Sequence, residues 1–256
     1  MTLSYRKRPR ILCLHGRCQD GSIFSNKISG ARRKLDKVYD LIFLDAPLQV
    51  KGEPSHSLAW WSRFDDDSNN NNNTSTESSS SMYHTSIQRA LEYVQNHPMI
   101  QGEGEGEPTV DALLGFSQGG TLATALALSG CFKGVRAVVT AGAPYIPEAI
   151  DVAHTMASRT SGRPTTFGYK IPKLHMAGQV DSLVPVESTR MLCEKGGCGQ
   201  MIIHEQGHLF PTRSAPVTEI MNFLLHAFRD YDGEEVVQSN VMSFGSISER
   251  GIDQRD

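Results

Sequence analysis

Apolar residues along the chain fall into two kinds of segment that take turns. Short runs at 10–14, 38–44, 110–114, 135–141, 171–177 and 200–204 have the length and composition of buried strands. Between them, apolar residues recur at three- and four-residue spacing, as in Ile23, Phe24, Ile28, Ala31 and Leu35, or Ile87, Ala90, Leu91 and Val94. That spacing gathers them on one face of a helix. It predicts helices over 23–35, 82–96, 186–194 and 213–228, with an Ala/Leu-rich helix directly after Ser117. A strand, a helix and a strand follow one another over 10–44, which implies parallel pairing through a right-handed crossover. The expected class is therefore α/β: a mostly parallel sheet flanked by helices, in one domain over 1–230.

Three stretches break the pattern. Residues 65–81 combine Asp65-Asp66-Asp67, an asparagine run and a serine run, and are predicted to be a flexible low-complexity insertion. Residues 148–170 are polar and carry Gly162, Pro164 and Gly168, which predicts a surface excursion without an element of its own. Residues 231–256 are polar and aperiodic, and a disordered tail is expected there.

Chemistry concentrates where predicted strands end. Gly115-Phe116-Ser117-Gln118-Gly119 follows an apolar run and opens a helix, the setting in which a G-x-S-x-G pattern holds a nucleophile on a sharp turn. Only small residues fit beside so tight a turn, and the helix behind it aims N–H groups and a positive dipole end at the serine. Acyl transfer also needs a base and a carboxylate to orient it. Asp181 follows the 171–177 strand, and His208 follows the 200–204 strand. Taken singly, Asp181 reads as a helix cap and His208 as a surface histidine. Together they complete the order serine, acid, histidine at successive strand ends, so the set predicts a catalytic triad. His15-Gly16-Arg17 ends the first strand, which makes the backbone N–H groups of Arg17 and Gln118 the predicted oxyanion donors. Trp60 and Trp61, the two tryptophans of the chain, either pack in the core or wall a substrate pocket. Position and apolar bulk make Trp60, Trp61 and Phe116 the candidate pocket residues.

Composition narrows the field. A chain of 256 residues with 39% hydrophobic content supports a sizeable core. A net charge of −3 gives no polyanion-binding signal, so nucleic acid is not an expected partner. The five cysteines are odd in number and read as reduced thiols, which points to a cytoplasmic protein. The basic start is followed by an apolar run too short for a leader or a membrane span, so no membrane insertion is expected. Cys193, Cys198, His204 and His208 are potential zinc ligands, but the spacing between the pairs is too short for a zinc finger and a predicted strand runs through it. The glycines of 102–107 alternate with glutamates, which would repel a phosphate. Neither a metal nor a cofactor is expected.

Several motifs carry a resemblance: Leu14-His15-Gly16 with Gln19 and Gly21, Phe24-Ser25 with Gly30-Ala31-Arg32, and Asp45-Ala46-Pro47. Trp60-Trp61, the serine motif, Gly178 with Asp181 and Val184-Pro185, and Gly207-His208 with Pro211 complete the series. Running from about 10 to 229, it resembles the FSH-type serine hydrolases, a branch of the α/β-hydrolase superfamily. The resemblance implies a compact α/β-hydrolase fold without a large lid, and a carboxylesterase using Ser117, Asp181 and His208. The same triad also serves a thioesterase or an acyltransferase. A non-catalytic binding protein on the same scaffold would have no need of all three residues. The chain has Arg17 where the family often has an aromatic residue. A small acyl ester or thioester is the expected partner; oligomeric state is not legible.

Overall fold

The computed structural model describes residues 8–62, 76–100, 110–159, 167–197 and 199–231. Its strands are β1 (Arg10–Leu14), β2 (Asp40–Leu44), β3 (Leu48–Gln49), β4 (Leu58–Ala59), β5 (Ala112–Phe116), β6 (Ala137–Ala141), β7 (Lys173–Gly178) and β8 (Gly199–His204). The helices are α1 (Gly21–Lys27), α2 (Ser29–Leu35), α3 (Thr76–Gln95), α4 (Gln118–Ser129), α5 (Pro147–Arg159), α6 (Phe167–Lys170), α7 (Val186–Lys195) and α8 (Ser214–Tyr231). Six strands form one sheet in the order β2-β1-β5-β6-β7-β8, and every pairing in it is parallel. The α/β expectation holds.

Strand alternation divides the core between the two faces of the sheet. Along β1, Leu12 and Leu14 join one cluster with α3, α4 and α5, while Ile11 and Cys13 join the other with α1, α2 and α8. Central strands buried on both faces read as continuous apolar runs, and β5 and β6 are buried at every position. The helix α4 is buried along its whole length, which matches its nearly uninterrupted Ala and Leu content. Among the described residues no helix is long and apolar enough to cross a membrane.

The structure departs from the pattern in four places. The single helix expected over 23–35 is two helices meeting at Ile28, whose backbone (φ −95, ψ 17) ends α1 and starts α2. Ile28 is fully buried, and Gly30 just beyond it packs against the backbone of Thr212, so the bend follows the loop that leads into α8. The stretch 148–170 is not a bare excursion. It contains α5, whose Ala149, Ile150, Val152, Ala153 and Ala157 form a buried, alanine-rich stripe that its polar neighbours conceal. α3 begins at Thr76, ahead of the apolar periodicity, because serine and threonine tolerate a helix whose later turns are anchored in the core. The remainder of the low-complexity stretch, 65–75, and the tail from 232 lie outside the described residues. The fourth departure is the short antiparallel pair β3–β4, unmarked in the sequence, which carries the chain to Trp60.

His175 on β7 is fully buried; its Nδ1 pairs with Thr140 Oγ1 at 2.8 Å, and its Nε2 has no partner among the described residues. Burial first, then the Lys173 ammonium, lowers its pKa from 6.5 to about 4. Between those values the unfolded chain binds the extra proton, so stability falls as pH drops through this window. His175 is predicted to account for up to about 3 kcal/mol of that loss. Urea melts of wild type and His175→Gln check it: the gap between their midpoints should narrow from pH 7 to pH 4. A gap that stays constant contradicts the assignment.

Candidate active site

β5 delivers Ser117 to the carboxyl edge of the sheet, where parallel strands leave their loops and ligands usually bind. Ser117 has φ 51 and ψ −121, a conformation that strains any residue bearing a Cβ by about 1–3 kcal/mol. Three backbone bonds fix it: Ser117 N–H donates to Ala141 O at 2.9 Å, and Ser117 O accepts from Gly120 and Thr121 N–H at 2.9 and 3.2 Å. A Cβ on Gly115 would strike the backbone of Gly119, and one on Gly119 would strike the carbonyls of Leu14 and His15. The glycines of the serine motif are thus demanded by backbone packing on both sides of the turn.

Two further strand ends bring their side chains to this serine. Asp181, past β7, and His208, past β8, meet with Asp181 Oδ2 2.7 Å from His208 Nδ1. His208 Nε2 lies 3.1 Å from Ser117 Oγ. The Asp181 side chain is fully buried, while that of His208 keeps 16% of its surface exposed. Asp181 does not cap α7, whose N-cap Pro185 has no side-chain hydrogen bond; its Oδ1 instead accepts N–H bonds from Leu183 and Val184 in the preceding turn at 2.9 and 2.8 Å. One carboxylate therefore orders the turn before α7 and offers its other oxygen to the imidazole. Room for this pair comes from Gly142 (φ +54), where a Cβ would stand 3.1 Å from His208 Nδ1. Nothing in the turn sequence had marked Gly142 as more than a loop residue.

The loop after β1 lies beside the serine. His15 is buried there with a fixed tautomer: Nδ1–H donates to Gly16 O at 2.8 Å, and Nε2 accepts from Ala46 N–H at 3.0 Å. Burial lowers its pKa, which agrees with a neutral structural imidazole. Ser117, Gln118, Arg17, Trp61 and Phe116 all line one cavity of about 670 Å³, a size suited to a small organic ligand. Lys27 and the aromatic rings of Phe24 and Phe210 also face it, none of them among the pocket residues expected from the sequence. Trp60 does not line this cavity. Its indole is turned away beneath the loop and donates from Nε1 to His15 O at 2.8 Å, so of the two tryptophans only Trp61 meets the open space. Of the four residues weighed as zinc ligands, Cys198 is outside the described residues and His208 is engaged with Ser117 and Asp181.

The profile of the serine hydrolase (FSH1) family matches residues 1–220. The chain belongs to the FSH1 serine hydrolase family. Among curated relatives of this FSH1-family hydrolase, Esterase CG5412 of Drosophila melanogaster is 28% identical over 255 residues, spanning 95% of this chain and 84% of that protein. Esterase OVCA2 of Danio rerio is 28% identical over 238 residues, spanning 84% and 96%. The crystal structure of Arabidopsis thaliana SOBER1 superimposes with a TM-score of 0.58 at 16% identity, covering 87% of this chain and all of that one, which shows a shared fold. Esterases of α/β-hydrolase architecture recur among the structural neighbours.

Packing at the serine turn gives a direct test. Gly119→Ala places a methyl group against carbonyl oxygens that cannot yield without moving β1. The melting temperature is predicted to fall by at least about 5 °C. Circular dichroism melts check this, and an unchanged melting temperature would show that the turn is looser than described.

Proposed function

We propose that this FSH1-family serine hydrolase is a carboxylesterase working through an acyl-enzyme. The observation that carries the reading is the continuous relay from Ser117 Oγ through His208 to the buried Asp181, at 3.1 and 2.7 Å. Asp181 accepts the Nδ1–H of His208 and so leaves Nε2 as the lone-pair nitrogen facing the serine. As Ser117 Oγ attacks the ester carbonyl, Nε2 takes its proton. The Gln118 N–H belongs to the first residue of α4 and has no intrahelical acceptor, so it is available to the developing oxyanion, with the Arg17 N–H as the second donor. When the tetrahedral adduct collapses, the C–O bond to the alcohol breaks and the alcohol leaves with the proton held on Nε2. Water then enters, gives a proton to the same nitrogen and attacks the acyl carbonyl. The acid departs as Ser117 recovers its proton. The apolar wall formed by Trp61, Phe116 and Phe24 supports an acyl chain as the group held in the cavity.

Hydrolysis of 4-nitrophenyl butyrate by wild type and variants tests this reading. Ser117→Ala is expected to lower kcat/KM at least about 10⁴-fold, and Asp181→Asn by about 10³- to 10⁴-fold with KM little changed. Trp61→Ala is expected to shift the preferred acyl length across a series of 4-nitrophenyl esters. Full activity in Ser117→Ala would sink the mechanism. A length preference untouched by Trp61→Ala would remove Trp61 from the acyl wall.

A further inference from the structure

In the proposed reaction Gln118 contributes only its backbone, yet its side chain is buried and doubly bonded. Oε1 accepts from Trp60 N–H at 3.0 Å, and Nε2 donates to Trp61 O at 2.9 Å. One carboxamide thus satisfies a backbone donor and a backbone acceptor of consecutive residues. The segment it holds is in turn stitched to the loop after β1. Cys18 N–H donates to Leu58 O at 2.8 Å, Leu58 N–H to Gln19 O at 3.0 Å, and Trp60 Nε1 to His15 O at 2.8 Å. Gln19 then folds back, and its Oε1 accepts from Gly16 N–H at 3.3 Å.

These bonds form one chain of contacts: serine turn, Gln118 side chain, segment 57–61, loop 15–19. The segment has little local structure to hold it, because β3 and β4 are two residues each. We propose that the Gln118 side chain is a positioning residue, which sets the Arg17 N–H relative to Ser117 by clamping segment 57–61 between the two halves of the oxyanion hole. This rests on the esterase reading of the site. The clamp needs a glutamine in particular. An ionised glutamate accepts but cannot donate, so it would confront the Trp61 carbonyl with a negative charge. Methionine offers neither bond and leaves a buried N–H and C=O without partners.

The chain's tryptophans supply the readout, since both lie in the clamped segment. Gln118→Glu and Gln118→Met are compared with wild type for 4-nitrophenyl butyrate hydrolysis, for inhibition by a trifluoromethyl ketone, and for tryptophan emission and acrylamide quenching. The proposal expects kcat to fall about 10- to 100-fold with KM within about threefold, and ketone affinity to weaken by the same factor as kcat/KM. Emission should shift to the red and quenching should rise. A protonated glutamic acid regains the donor, so the ratio of Gln118→Glu to wild-type kcat should fall as pH rises. Should Gln118→Met fail to fold, the isosteric Gln118→Glu carries the test. Trp60→Phe provides an independent arm: it cuts the segment's bond to His15, and its loss combined with Gln118→Glu should be less than the product of the two. Emission and kcat within twofold of wild type in the glutamate variant, or a kcat loss without weaker ketone binding, would overturn the proposal. If wild type itself shows no Ser117-dependent hydrolysis, it is the esterase reading that falls.

Discussion

The site depends on the close seating of α4 behind β5. A serine held at φ 51 relaxes unless its surroundings forbid it, and here they do. α4 is buried along its whole length, so it cannot pivot without exposing apolar surface on every side. The Gly119 backbone lies against the carbonyls of Leu14 and His15, so the helix start is also locked to β1. Hydrophobic burial, which is non-directional, is thereby converted into a fixed direction for one hydroxyl group.

Electrostatic order is layered onto this packing. Asp181 is buried, yet its two oxygens collect two backbone N–H bonds and one imidazole nitrogen. Such a carboxylate is compensated inside the protein and has a defined orientation toward His208. Two other buried histidines, His15 and His175, have their pKa lowered by burial, and each holds Nδ1 in a fixed bond.

Much of the architecture was legible because parallel strands buried on both faces leave long apolar runs. The serine motif was legible for a different reason: close backbone contact demands glycine at set distances, and that demand is written in residue identity. α5 was hidden because its buried stripe is mostly alanine, which carries little hydrophobic signal against its polar neighbours. Trp60 and Trp61 show another limit. Adjacent in sequence and alike in chemistry, they diverge in space, one under the loop after β1 and the other on the cavity wall, through hydrogen bonds to the Gln118 side chain and the His15 carbonyl, both far along the chain. The Gln118 side chain escaped notice for that reason as well. Its partners are main-chain groups, which have no sequence signature.

The central claim is that the strained turn presents one activated serine, with His208 as its base. Reaction with a fluorophosphonate followed by peptide mass mapping tests it most directly. The account predicts a single phosphonyl adduct on the peptide carrying Ser117, and a rate of adduct formation at least about 100-fold lower in His208→Ala. An adduct on another residue, or labelling of Ser117 at an unchanged rate without His208, would contradict it.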